Sequence, residues 1–213
     1  MRTRILTVAV LSAALTASAA LAQQQQPPGT QRVNGTIERL DGNTIYGKGR
    51  DGSAITLKLA DNVAVTAVMK ATFADIKPGD YVGTGAVPQA DGSQKAVELR
   101  IFPRPQADGG HFYEGWPGAA NGTMTNGFVQ PAGTVGATLA GAGGGEPSIV
   151  VKYPQGEKRI VIPANAHVVR NAFGGKDDLK AGAAFRANAA AKQPDGTYTA
   201  SAISVGRDGA RPF

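Results

Sequence analysis

The sequence predicts an all-β protein made of two small five-stranded barrels in tandem. Three observations carry this prediction. Short segments alternate between apolar and polar residues, as half-buried strands do. Asp-Gly pairs, which favour tight hairpins, separate these segments. The same succession of segments occurs twice in the 213 residues, first over residues 33–102 and again over residues 123–206.

Three strands open the first copy. Residues 36–40 alternate in polarity, an Asp41-Gly42 turn reverses the chain, and residues 44–47 return. A second Asp-Gly turn precedes residues 54–59, which place every second side chain on one apolar face. The pattern indicates an antiparallel meander.

A short helical turn and two further strands complete the copy. Apolar residues have helical spacing in residues 68–76, and Lys77-Pro78-Gly79 ends this segment because proline disfavours helical backbone in the residue before it. Residues 81–87 and 96–101 are then strands. This order is that of an OB-type barrel. We therefore expect two tandem OB-like barrels, each with a short helical turn between its third and fourth strands.

The second copy repeats landmarks of the first, and from the third strand onward the spacing between matched landmarks is nearly constant. Between the third strand and the following turn the offset stays at 103 residues (160 minus 57, and 179 minus 76), and it becomes 104 at the later Asp-Gly turn. The matched segments are Asn34-Gly35-Thr36-Ile37 with Asn126-Gly127-Phe128-Val129, Leu57-Lys58-Leu59 with Ile160-Val161-Ile162, Ile76-Lys77-Pro78-Gly79 with Leu179-Lys180-Ala181-Gly182, and Asp91-Gly92 with Asp195-Gly196.

Three motifs of the first copy carry a family resemblance. They are Asn34-Gly35-Thr36-Ile37, Ile76-Lys77-Pro78-Gly79-Asp80-Tyr81-Val82, and Asp91-Gly92-Ser93 followed by Ala96 and Leu99. In these three motifs the first copy resembles a widespread family of exported bacterial OB-like domains of unknown function. The resemblance implies the fold and export, and it implies no activity and no catalytic residues. The second copy departs from the pattern at Lys180-Ala181-Gly182-Ala183.

The amino terminus has the features of a cleaved export signal. Arg2 and Arg4 precede an apolar run over residues 5–15, and Ala20-Leu21-Ala22 supplies the small residues of a cleavage site. The run is shorter than the roughly 20 residues of a membrane-spanning helix, and no later window predicts a transmembrane segment. We expect cleavage after Ala22 and a periplasmic or secreted bacterial protein.

Three further segments are expected to lack regular structure. Residues 23–32 form a disordered polar lead, residues 103–122 an aromatic, glycine- and proline-rich inter-domain loop, and residues 207–213 a flexible tail.

Composition excludes several classes of protein. The chain has no cysteine, which excludes disulfides, thiolate metal sites and a cysteine nucleophile. The net charge is +6, and it becomes +4 once Arg2 and Arg4 are removed. These charges are spread along the chain and lack the clustering of a nucleic-acid footprint, so we expect no nucleic-acid partner. Nothing in the sequence calls for a cofactor.

The inter-domain loop holds the first group of candidate site residues. It contains the run His111-Phe112-Tyr113-Glu114-Gly115-Trp116, with the single tryptophan of the chain. One interpretation is that Phe112, Tyr113 and Trp116 pack between the domains and fix their angle. Another is that they face a ligand, with Trp116 stacking on a sugar. A third makes His111 and Glu114 the start of a metal site, although two ligands leave its shell incomplete.

The second group lies on strands 2 and 3, the face on which OB barrels bind linear ligands. In the first copy this face presents Tyr46, Lys48, Arg50 and Lys58. We expect a non-enzymatic exported module of the cell envelope that binds an anionic glycan or an envelope protein, or that is structural.

Two alternatives stay open. One is a soluble periplasmic accessory protein in divalent-metal handling, using His111 and Glu114. The other is a carboxylate-dependent hydrolase. The sequence contains no nucleophile motif of the G-x-S-x-G type, and its glutamates are scattered, so we expect that the protein is not an enzyme.

Overall fold

The computed structural model describes residues 29–106, 109–113, 115, 121–131 and 146–212. The predicted signal peptide, most of the polar lead, and the loop residues Glu114 and Trp116 lie outside this part of the chain. The described residues form twelve strands and two single-turn 3-10 helices, Phe73–Asp75 and Lys176–Asp178. The predicted all-β class is therefore confirmed.

The strands are, in chain order, β1 Thr30–Asp41, β2 Thr44–Gly49, β3 Ala54–Lys70, β4 Tyr81–Pro88, β5 Gln94–Phe102, β6 Gly110–Tyr113, β7 Thr123–Val129, β8 Ser148–Tyr153, β9 Gly156–Val161, β10 His167–Phe173, β11 Ala184–Lys192 and β12 Tyr198–Gly206.

The first barrel is closed by strands from both copies. β1, β2 and β3 pair in succession as antiparallel neighbours. β3 then pairs in parallel with β12, β12 pairs with β11, and β11 returns to β1. The barrel order is therefore β1-β2-β3-β12-β11. Its core combines side chains of both copies, among them Ile37, Ile45, Leu57, Phe185 and Val205, all at most 1% exposed.

The remaining strands form a second ring. β7 pairs with β8 and with β4, β8 pairs with β9, and β4 pairs with β5. β5 meets β9 in parallel through Gln94–Ile160 and Lys95–Val161. The core of this ring includes Val82, Leu99, Ile101, Val151 and Ile160. β10 joins the two rings, because it pairs with β3 on one side and with β5 on the other.

A closed five-stranded barrel is confirmed, whereas the expected tandem arrangement is not. Tandem domains require each copy to close its own barrel, but β1–β3 are completed by β11 and β12, and β4 and β5 pair with strands of the second copy. The two copies exchange their last two strands, and the chain crosses to the other ring after each 3-10 turn. Ile76 after the first turn is buried in the core of the second ring, and Leu179 after the second turn is buried in the first barrel.

The expected helical spacing of residues 68–76 is only partly realised. β3 continues to Lys70, because Val68, Met69 and Lys70 pair with β10, and the helical part shrinks to Phe73–Asp75. Tertiary strand pairing here outweighs the local spacing of apolar residues.

Segments expected to be irregular also take part in the fold. β1 begins at Thr30, which pairs with Ala191, so the end of the polar lead is a strand. Within the inter-domain loop, β6 pairs with β7. In the expected tail, the Arg207 backbone amide donates to the Val68 carbonyl oxygen at 2.8 Å, and Ala210 is 1% exposed. These residues are fixed by backbone hydrogen bonds that local composition does not reveal.

The Asn-Gly motif that opens each copy marks a close approach of two strands. A Cβ atom on Gly35 would lie 2.5 Å from the carbonyl oxygen of Lys48, and one on Gly127 would lie 2.2 Å from that of Lys152. Real Cβ atoms do not approach oxygen so closely. Glycine is thus required where the first strand of each copy crosses the second.

We expect Gly35→Ala and Gly127→Ala each to lower the free energy of unfolding by about 1–3 kcal/mol, since the added methyl overpacks against backbone. The matched control is Gly175→Ala, where φ is −145° and a Cβ meets nothing within 4 Å. Urea unfolding measures all three. Equal stability of Gly35→Ala and Gly175→Ala would contradict the strand crossing.

The exchange of strands is testable by cross-linking, because the chain has no cysteine of its own. Thr36 in β1 is paired with Ala184 in β11, and directly opposed residues are close enough for a disulfide. The double variant Thr36→Cys/Ala184→Cys should cross-link on mild oxidation. Thr36→Cys/Ser201→Cys is the control, since Ser201 in β12 has no pairing with β1. A folded Thr36→Cys/Ala184→Cys protein that fails to cross-link argues for unexchanged barrels.

Candidate functional site

The outer surface of β2 and β3 brings together three of the predicted site residues. Inward positions of these strands, such as Ile45 and Leu57, are fully buried, so Tyr46, Lys48 and Lys58 point outward. Tyr46 is paired with Thr56, which makes Lys58, two residues further along β3, its diagonal neighbour. We call the surface formed by Arg39, Tyr46, Lys48 and Lys58 the basic face.

Arg39 is the member of the basic face that the sequence did not reveal. Its guanidinium carbon lies 3.4 Å from the centroid of the Tyr46 ring, a cation–π contact. The side chain is 58% exposed, and its Asp41 ion pair is long at 3.8 Å. One side of the Tyr46 ring is therefore covered by the Arg39 guanidinium.

A β-bulge explains why the sequence pattern does not predict Arg39 on this surface. Simple alternation places Arg39 on the same side as Ile37, which is 1% exposed and lies in the core. The register of β1 against β2 shifts between Ile37 and Arg39, and one extra residue turns the following side chain to the other face. In the sequence, only the break in alternation around Glu38 indicates this bulge.

Arg50 lies beyond the end of β2, in the turn that leads to β3. Its positive charge acts on Arg186 of β11. The structure thus places Arg50 at the edge of the basic face, next to a cation from the second copy.

The inter-domain loop contributes an edge strand to the second ring. Phe112 in β6 is paired with Met124 of β7 and is 43% exposed. The backbone of Tyr113 belongs to the same strand, while its side chain, Glu114 and Trp116 lie outside the described residues. The described part of the loop is therefore attached to the second ring by the pairing of β6 with β7.

His111 is held by its neighbours in β6 and the second ring. Its Nδ1 lies 2.8 Å from the Thr125 hydroxyl, its ring stacks on Tyr153 at a centroid distance of 6.3 Å, and its Nε2 is buried. Burial, and then the charge of Lys158, hold the pKa of His111 below its ordinary value. Within the described ranges, no three His, Asp or Glu side chains are grouped as metal ligands are.

An open pocket of about 360 Å³ contains two carboxylates, those of Asp91 and Glu146. Glu146 accepts a hydrogen bond from Lys95 at 2.9 Å. Asp91 accepts one from the Ser93 hydroxyl at 2.6 Å, and this bond holds the pKa of Asp91 below its ordinary value. A general acid needs a raised pKa, so Asp91 lacks the electrostatics of a glycosidase acid.

The burial of His111 predicts a pH dependence of stability. Because its pKa is lowered in the folded state, the unfolded chain takes up the proton first as the pH falls below about 6.5. The wild-type protein should therefore lose stability from pH 7.5 to pH 5, and His111→Gln should lose less. Melting temperatures of both proteins at the two pH values measure this. An equal loss, or a rise in melting temperature with Zn²⁺ that His111→Gln abolishes, would show instead that the ring is accessible.

Comparison with known proteins gives no relative from which a function can be transferred. No family model matches the chain, and no curated protein or solved structure matches it either. In the part of the chain that the structure describes, no helix is both long and apolar enough to cross a bilayer. Function is therefore inferred from the side chains described above.

Proposed function

We propose that this protein is a non-enzymatic, exported binding module of the bacterial cell envelope, and that it holds an anionic glycan on the basic face. The observation that carries the proposal is the grouping of Tyr46, Lys48 and Lys58 on the outer surface of β2 and β3, with Arg39 of β1 beside them. OB barrels bind linear ligands on this surface.

The strand order supports an OB-like barrel with exchanged strands. In the first barrel the third strand pairs in parallel with the last, and the fourth returns to the first. The second ring follows the same order, β7-β8-β9-β5-β4. This order supports our interpretation of the two rings as OB-like barrels that have exchanged their fourth and fifth strands.

The chemistry of the basic face favours an extended polyanion. The planar guanidinium of Arg39 matches a carboxylate in a two-bond geometry, while Lys48 and Lys58 act as mobile point charges. The face is an open strand surface and not an enclosed cavity, which suits a polymer more than a small molecule. Export, as the signal sequence predicts, makes envelope glycans the available polyanions.

Binding to a polyuronate, such as polygalacturonate, tests the proposal with the mature protein (residues 23–213). We expect Lys48→Gln/Lys58→Gln to weaken binding about tenfold, or ~1.4 kcal/mol, in isothermal titration calorimetry. The control is Lys77→Gln/Lys152→Gln, which removes the same charge from two exposed positions on the second ring and should change the affinity less than about twofold.

Three results separate the alternatives. Equal weakening by both double variants means that only net charge attracts the polymer. Binding of neutral dextran as tightly as polyuronate contradicts the role of charge. No binding of either polymer by the wild-type protein overturns the glycan ligand and leaves an envelope protein as the partner to seek by cross-linking in cells.

A further inference from the structure

Three arginines converge on the outer surface of the first barrel around Asn34. Arg186 in β11 is paired with Asn34 in β1. On the other side of β1, Gly35 is paired with Gly49, which brings the next residue, Arg50, beside Asn34. Arg32 lies two residues before Asn34, at the shift in register between β1 and β11.

The second ring adds a fourth arginine. Leu99 and Ile101 of β5 are fully buried in the core of that ring, so Arg100 between them points outward. Arg100 donates to Glu98 at 2.5 Å. The charges of both residues act on Arg186. We call Arg32, Arg50, Arg100 and Arg186 the arginine cluster.

Arg186 lies among like charges. Burial and, after it, the charges of Arg32, Arg100 and Arg50 together lower the pKa of Arg186 to about 10, and among its principal neighbours only Glu98 acts in the opposite direction. Arginine stays protonated at neutral pH. The charges of the other three arginines therefore act on Arg186 with the same sign as its own, and like charges in a half-buried place repel.

Arg186 is also oriented for binding. Its Nε donates to the Asn188 side-chain oxygen at 2.7 Å, which fixes the plane of the guanidinium and leaves its terminal nitrogens to a ligand. Preorganised guanidinium groups form paired hydrogen bonds with the oxygens of phosphate or sulfate.

We propose that the arginine cluster is a binding site for a tetrahedral oxyanion, a phosphate or sulfate group, either free or carried by a larger ligand. The anion offsets the repulsion among the four guanidinium groups. It also links the two rings, because Arg32, Arg50 and Arg186 belong to the first barrel and Arg100 belongs to the second ring. The site shares no residue with the basic face, which it adjoins at Arg50, and it does not depend on the proposed glycan.

Thermal unfolding of the mature protein in sodium sulfate or sodium phosphate at pH 7.5, against sodium chloride of equal ionic strength, tests this site. We expect a saturable rise in melting temperature of about 5 °C or more with either anion. Arg186→Gln should abolish the saturable part. Without added anion, it should melt no lower than the wild-type protein, because it removes repulsion.

The control is Arg104→Gln, which removes an equally positive, exposed side chain that is not among the electrostatic neighbours of Arg186 and should keep the full rise. If Arg186→Gln does not fold, Arg32→Gln is the replacement variant, because Arg32 is exposed. Arg32→Gln should weaken anion affinity at least about fivefold in calorimetry.

The outcomes are distinct. A response to phosphate alone or to sulfate alone supports the site and identifies the group. An equal rise in wild type, Arg186→Gln and Arg104→Gln is a general salt effect and overturns the proposal. Loss of the rise in Lys48→Gln/Lys58→Gln would place the anion on the basic face and overturn it too. Retention of the rise in that variant, with loss of polyuronate binding, supports both proposals independently.

Discussion

The parallel pairing of β3 with β12 is the contact on which the rest of the structure depends. It runs from Leu57–Tyr198 to Val68–Gly206 and closes the first barrel between segments far apart in the chain. Parallel neighbours require a long connection, and here that connection contains the whole second ring. The pairing also sets the place of β11, and with it the positions of Phe185 in the core and Arg186 on the surface.

The two candidate surfaces differ in how they arise from the chain. The basic face uses β1, β2 and β3, which follow one another through short turns, so its lysines could be predicted from the sequence. The arginine cluster draws on β1, the turn after β2, β5 and β11. Residues 32, 50, 100 and 186 share no local pattern, and only the exchange of strands brings them together.

Period-two alternation and Asp-Gly turns were enough to predict the fold class and most strands, and helical spacing together with the internal repeat predicted a short helical turn before the fourth strand of each copy. They did not predict the exchange, because a strand with the right alternation satisfies the same inner face whichever copy supplies it. Local signals also failed where pairing overrides them. Residues 68–70 extend β3 because β10 lies beside them, and the bulge before Arg39 reverses the side chains that alternation assigns.

The separation of β3 from β12 has a consequence for synthesis. Residue 198 leaves the ribosome 141 residues after its partner, residue 57 (198 minus 57), which is roughly ten seconds or more at ordinary elongation rates. During this interval the apolar side of β1–β3, including Ile45 and Leu57, lacks β12, the strand that closes the barrel against β3. A chain that ends before Tyr198 lacks β12, so the first barrel can close only when the chain is present through its last strand.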